Sequence, residues 1–419
     1  MSPRFFNAHA HCFTIDHVPD SFVKGYLFFP LRISTLRKNG FFSWFTKKFL
    51  KIYPFKNQGL IRLINLLRYM DRDSQEKIID LLTGYYPRDT GFVLLTMDME
   101  YMQAGPPVHK FKQQLEELAT CKEKYKDIIY PFIFCDPRRI APRADSWEVN
   151  IENDFIGENF LKQAKDYIKK GIYQGIKLYP AMGYFPFDKR LKPVYDLALE
   201  YNLPITSHVI QGVVHFRGEK EYRSHPFIHR PLDGIKPKDF TVHFTHPLNF
   251  EILLNPVHLS KCWDIPEKEA EKYRNLKICL GHFGGENEWI KFLEDPWAPA
   301  GGDCLDLTRW HPTCFNKESQ PSWFSICSDL IRKYPNVYAD ISYTAAFGET
   351  YPLLRTILQS DEAIRDKTLF GTDFYVVARA ETERKIAIDI RGYLGTELFN
   401  CISVTNARRF LSNAICKVS

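Results

Sequence analysis

Eight short apolar segments, separated by longer helix-like stretches, constrain this chain more than any other feature. They fall at 5–10, 90–97, 128–135, 175–179, 204–208, 276–281, 337–342 and 368–371. Helical patterning occupies 110–126, 152–170, 191–201, 249–275, 322–334, 351–366 and 382–394. Strands and helices alternating at crossover spacing predict parallel βα units. Eight such units predict an α/β fold, a closed (β/α)8 TIM barrel. A doubly wound open sheet is the alternative, but no Gly-x-Gly-x-x-Gly turn supports it.

Two excursions break the rhythm, 12–88 after the first strand and 209–246 after the fifth. Both leave from strand C-termini, the end of a barrel where active sites form. A third stretch, 295–320, is rich in Pro, Gly and Trp and reads as a surface loop. The whole chain, 1–419, is therefore expected to be one barrel carrying insertions. Hydrophobic content of 45% with 25% charged residues excludes wholesale disorder. No apolar run of about 18 residues suggests a membrane-spanning helix. The first segment lacks the zones of a secretion signal, and the ten cysteines stand singly with no Cys-x-x-Cys pair. A cytoplasmic protein with reduced thiols is the expectation.

Charge is unevenly placed. Residues 21–70 hold ten Lys or Arg and no Asp or Glu, more than the whole net charge of +6. Aromatic residues interleave with these cations at 41–51. We read the 12–88 insertion as a helical lid over the barrel mouth, with peripheral membrane contact through 21–70 as the alternative. Nucleic acid is not expected as a partner, because the basic block has no reading motif. The 209–246 insertion is rich in His and Arg, and Arg217, Arg223 and Arg230 are candidates to hold a substrate carboxylate or phosphate.

Polar residues recur where the strands end. The first strand runs into His9-Ala10-His11, which puts two imidazoles on one face. Lys177 lies on strand four, His208 ends strand five, His282 follows strand six, Asp340 lies on strand seven and Asp373 follows strand eight. Any one of these could cap a helix or sit satisfied in the core. A barrel gathers its strand ends at one mouth, and several nitrogens with an Asp there make an open-sided metal site. Gly284 and Gly285 are expected to let backbone N–H groups approach a substrate anion.

The order His-x-His, Gly-x-Lys-Leu-x-Pro, strand-five His, Gly-His-x-Gly-Gly and Gly-Thr-Asp resembles the amidohydrolase superfamily. In particular it is similar to the amidohydrolase-2 branch, which includes aminocarboxymuconate-semialdehyde decarboxylase. The C-terminal Asn406-Ala407-Arg408-Arg409-Phe410-Leu411 is similar to the segment that closes such barrels. The resemblance implies His9, His11, His208 and Asp373 as ligands of one divalent metal, zinc by expectation, with His282 and Asp373 as the catalytic acid/base residues. It also implies a two-metal alternative, in which a carboxylated Lys177 bridges and His208 and His282 bind the second ion.

A bound divalent metal lowers the pKa of water from about 16 toward 7. The leading expectation is accordingly a metal-dependent hydrolase of a small anionic ester, lactone or amide. The alternative keeps the site and changes the reaction to non-oxidative decarboxylation, or hydration, of an unsaturated or aromatic carboxylic acid. A reading of another class is a non-catalytic or membrane-associated barrel.

Overall fold

Eight parallel strands run in sequence order around one sheet: β1 (Phe5–Ala10), β2 (Thr90–Leu95), β3 (Ile129–Phe134), β4 (Gly175–Leu178), β5 (Pro204–His208), β6 (Lys277–Gly281), β7 (Val337–Asp340) and β8 (Thr368–Leu369). The computed structural model describes residues 5–22, 65–142, 155–210, 216, 224–225, 228–231, 242–294 and 321–412. The ring closes where β8 returns to β1. Ala8 donates its N–H to Phe370 O at 2.8 Å, and Ala10 bridges Phe374 in parallel. The predicted (β/α)8 barrel is the observed fold.

Alternate residues of each strand point inward. Phe6, Ala8, Val93, Leu95, Tyr130, Phe132, Cys279, Tyr338 and Leu369 fill the interior in one buried cluster. Ala407 and Phe410 of the last described helix, Asn406–Phe410, and Leu411 just after it close it from below. The opposite strand faces carry Phe92, Leu94, Ile133, Ile176, Ile205, Ile278 and Leu280 into the larger core shared with the helices. Polar residues at the inward positions are thereby confined to the strand C-terminal ends.

One irregularity positions the site. The β1–β2 register shifts between Asn7 and Ala10. A bulge of this kind moves later side chains to the other face. Phe6 and Ala8 can therefore pack the interior while His9, next in sequence, also turns inward.

Two expected helical stretches are divided: 351–366 forms Tyr351–Ser360 and Glu362–Arg365, and 249–275 is broken further. One stretch was expected there, but the chain forms Leu248–Leu254, Pro256–Trp263, Glu267–Ala270 and a 3-10 turn at Glu271–Asn275. Pro256 lacks the N–H needed to continue a helix, and Asn255 restarts one by capping the Val257 N–H at 3.1 Å. The 382–394 stretch begins at Glu383 and breaks where expected, at Gly395 (φ 75°, ψ 172°), beyond which helix resumes to Asn400.

Within the first insertion, residues 65–70 are helical and bury Leu66, Leu67 and Met70 against the core. Most of the basic block, 23–64, lies outside the described residues, as do Arg217, Arg223 and 295–320. The second insertion includes an antiparallel ribbon, Ser224–His225 with Ile228–Pro231. Arg230 lies on that ribbon, and its side chain is outside what is described. Phe216 is docked beside β4, its N–H donating to Ala181 O at 2.8 Å. Among the described residues, no helix is long and apolar enough to cross a membrane.

Candidate active site

His9, His11 and Asp373 meet at the mouth of the barrel, with ligand-type atoms all within 4.8 Å of one another. A second group of the same tightness joins His9 to His282 and Asp340. All five side chains are buried. Asp373 and His282 both follow strand ends in left-handed backbone conformations, φ 63° and 68°. Such strain in non-glycine residues persists only where the surroundings enforce it, and it concentrates at functional sites.

Hydrogen bonds fix the proton on each imidazole. His11 Nδ1 lies 2.9 Å from Leu95 O, and a carbonyl only accepts, so Nδ1 carries the proton and Nε2 is bare. His9 Nδ1 lies 2.9 Å from Asp340 Oδ2 and 3.0 Å from Ser342 Oγ. Burial pushes the Asp340 carboxyl up, but His9 and Ser342 more than offset this and hold it far below the usual range. It is therefore an anion, His9 donates to it, and His9 Nε2 is left without a partner. Burial lowers the pKa of His9 to about 4, so the ring is neutral at pH 7.

Three acceptors consequently converge with no donor among them. Asp373 Oδ1 lies 3.2 Å from His11 Nε2 and 3.7 Å from His9 Nε2. Two lone pairs facing a carboxylate repel unless a cation stands among them, whether a second proton or a divalent metal. Two neutral imidazoles and a carboxylate are a common donor set for zinc, manganese or iron. These residues fit a divalent metal.

His208 belongs to neither tight group and reaches the site through His282. His282 Nδ1 lies 3.0 Å from Ser342 O, so it too is protonated there and Nε2 accepts. His208 Nδ1 lies 3.0 Å from that Nε2 and must donate, leaving its own Nε2 bare and unpartnered. Burial first, then the neighbouring His282 and Lys177, hold the pKa of His208 well below normal. Tyr179 stacks on His208 with ring centroids 4.1 Å apart. Lys177 Nζ lies 5.6 Å from the Tyr179 ring, buried and without a hydrogen-bond partner among the described residues, and burial lowers its pKa to about 8.

Several residues of this region went unnoticed in the sequence. Ser342 is one: its hydroxyl donates to Asp340 Oδ1 and lies 2.9 Å from His282 Nδ1. Behind β1, Glu383 Oε1 accepts from Tyr86 OH at 2.6 Å, Thr372 Oγ1 at 2.7 Å and Asn7 Nδ2 at 3.2 Å. Asn7 Oδ1 in turn accepts the N–H groups of His9 and Thr372. After β2 and β3, fully buried Arg139 and Arg138 pair with Asp98 and Asp136 at 2.7 and 2.6 Å. The available signal was a carboxylate past each strand, Asp98 and Asp136, with the adjacent arginines Arg138 and Arg139 following the second.

The glycine expectation is corrected. Gly285 donates its N–H to His282 O at 2.8 Å, closing the turn rather than facing a substrate. Gly284 and Gly285 are required for conformation, at φ 86° and 89°, and a Cβ on Gly285 would fall 2.4 Å from Ile210.

Fold and site together define a (β/α)8-barrel enzyme whose strand ends gather a His/His/Asp cluster suited to a divalent metal. A family model described as amidohydrolase matches residues 153–412, and the chain belongs to that family. No curated protein sequence matches the chain. Among solved structures, the chain is similar to 5-carboxyvanillate decarboxylase LigW from Sphingomonas paucimobilis, at 11% identity and TM-score 0.50 over 98% of this chain and 99% of that one. A 2,6-dihydroxybenzoate decarboxylase from Rhizobium shows 14% identity and TM-score 0.48 over 98% and 99%. A 5-carboxyvanillate decarboxylase from Novosphingobium aromaticivorans, complexed with manganese, shows 12% and 0.49 over 97% and 96%.

Proposed function

We propose that this protein is a metal-dependent lyase that removes CO2, without oxidation, from a small aromatic or unsaturated carboxylic acid. The observation that carries the reading is the convergence of His9 Nε2, His11 Nε2 and Asp373 Oδ1 as bare acceptors beside the His282–His208 pair. These three atoms would hold the metal, with His208 as the further ligand expected from the sequence. When bound, the metal supplies positive charge that neutralises the anionic groups of the substrate.

Charge balance favours an acid as substrate. Asp340 and Asp373 carry two negative charges at the mouth and Lys177 one positive, so a divalent metal leaves an excess of one positive charge. An anionic substrate offsets it. Decarboxylation breaks the bond between carbon and carboxylate, leaves the electron pair on that carbon, and requires a proton there. His282 is placed to handle that proton at Nε2 once substrate displaces the His208 Nδ1–H bonded there, because its Nδ1 is held by Ser342 O. Burial lowers the pKa of His282, so it rests neutral and must take a proton from water before delivering it to that carbon.

The likeness in fold to a decarboxylase at TM-score 0.50 supports this reaction over the hydrolysis expected from the sequence. The test is incubation of metal-reconstituted protein with hydroxylated benzoates and enoic acids, and separately with lactones and esters, scoring CO2 and product. Release of CO2 with the protonated product is expected. Hydrolysis of a lactone or ester with no CO2 from any acid would overturn the reading.

A further inference from the structure

Lys177 ends in a buried ammonium for which the described protein offers no hydrogen-bond acceptor. Its direction follows from β4. Gly175, two residues earlier, faces the interior, where an added Cβ would strike the Phe132 ring at 2.4 Å. Lys177 therefore points into the barrel one pleat nearer the mouth. Asp340 and Asp373 act on it electrostatically, but both are committed. Asp340 accepts from His9, Cys279, the His282 and Ser342 N–H groups and the Ser342 hydroxyl. Asp373 faces His11 and His9.

A cation taken out of water and left unpaired is costly, and natural sites keep one where a ligand supplies the counter-charge. The neighbouring strand adds a second donor. Thr206 on β5 pairs in register with Lys177, and its buried hydroxyl also has no partner among the described residues. An ammonium and a hydroxyl side by side, walled by the Tyr179 ring, match a carboxylate, which accepts through both oxygens.

We propose that Lys177 and Thr206 form a carboxylate-binding subsite of the substrate pocket, separate from the His9–His11–Asp373 cluster. The protein would then select acids carrying two anionic groups, one at the cluster and one at Lys177. The proposal rests on the carboxylic-acid reading above and narrows its substrate class. It also gives Lys177 a role other than a carboxylated bridge between two metals.

The experiment compares isophthalate with benzoate by calorimetry on the metal-loaded protein, using wild type, Lys177→Met and Thr206→Val. Wild type is expected to bind isophthalate at least about tenfold more tightly than benzoate, with Lys177→Met binding both alike. Thr206→Val should lose several-fold in isophthalate affinity only. Metal content should be unchanged in both variants, and Lys177→Met should melt no lower than wild type, because it removes an uncompensated charge. Retained isophthalate preference in Lys177→Met, or a marked fall in its melting temperature, would overturn the subsite. So would a carbamate signal from 13C-bicarbonate in wild type that Lys177→Met abolishes together with a second metal. Decarboxylation is scored separately. Loss of the isophthalate preference without CO2 release from any acid would keep the subsite and sink the lyase reading; the reverse pattern would do the opposite.

Discussion

Asp340 Oδ2 lies 2.9 Å from His9 Nδ1, and that contact decides which nitrogen of His9 is free. Asp340 stands on β7 and His9 on β1, so the tautomer of one strand end is set by another two strands away around the ring. Asp340→Asn would remove the charge that holds the Nδ1 proton while keeping the side-chain shape. Metal affinity is expected to fall about 10–100-fold, as for other partners of ligating imidazoles. Competition with a chromogenic chelator measures this, and unchanged affinity would show that Asp340 does not orient His9.

His282 should be separable from metal binding. His282→Asn is expected to lower turnover by about 10²–10⁴ while metal content per chain stays at the wild-type value. His9→Ala, His11→Ala and Asp373→Asn are expected instead to lose the metal, read by elemental analysis of protein purified without chelators. A His282 variant that loses metal in parallel with these three would make it a ligand rather than an acid/base residue.

Two glycines leave room for His9. A Cβ on Gly371 would fall 2.8 Å from His9 Cβ, and one on Gly281 would fall 2.8 Å from Ser207 O and 3.3 Å from His9 Cε1. Neither contact ends in a flexible side-chain tip. Gly371→Ala is expected to destabilise the fold by about 1–3 kcal/mol and to weaken metal binding with it. Urea denaturation and the chelator assay on the same sample check both effects.

The barrel was legible because strand spacing is a local signal, and so were the residues that stand alone at strand ends. His9, His11, His282 and Asp373 are such residues, and their convergence follows from closure of the ring. Ser342 was not legible as a site residue, because a serine two positions past Asp340 looks like any turn residue. Its importance arises from long-range contacts to β1 and to the turn after β6. Glu383 was hidden for the same reason, since its partners are Asn7, Tyr86 and Thr372. The bulge in β1 left no local mark, and it alters the face that period-two reasoning assigns to His9 relative to Phe6 and Ala8. Gly285, by contrast, was visible but over-interpreted, since it serves its turn, and Pro256 was visible but overlooked, since it divides a helix that apolar patterning had joined.

Glu383 should make stability decline as pH rises from about 4.5 to about 7. Its carboxyl is buried, and burial raises its pKa to about 7 from an ordinary value of 4.5. Three donors reach Oε1 while Oε2 has none, which suits a proton on Oε2. Between pH 4.5 and 7 the folded chain therefore holds a proton that the unfolded chain releases. Stability from this group is fully present below the unfolded value and declines as pH rises through the folded one, by on the order of 3 kcal/mol in all. His9 and His17 act in the opposite direction. Burial lowers them to about 4 and 3, so they withdraw stability as pH falls below about 6.5. Glu383→Gln keeps an Oε1 acceptor for Tyr86, Thr372 and Asn7 but cannot ionise. It is expected to leave the acid limb intact and to melt higher than wild type at pH 8. Melting curves from pH 4 to 9 on both proteins, with metal removed, decide the matter: an equal shift at every pH would mean that Glu383 only packs, and that its ionisation carries none of the decline.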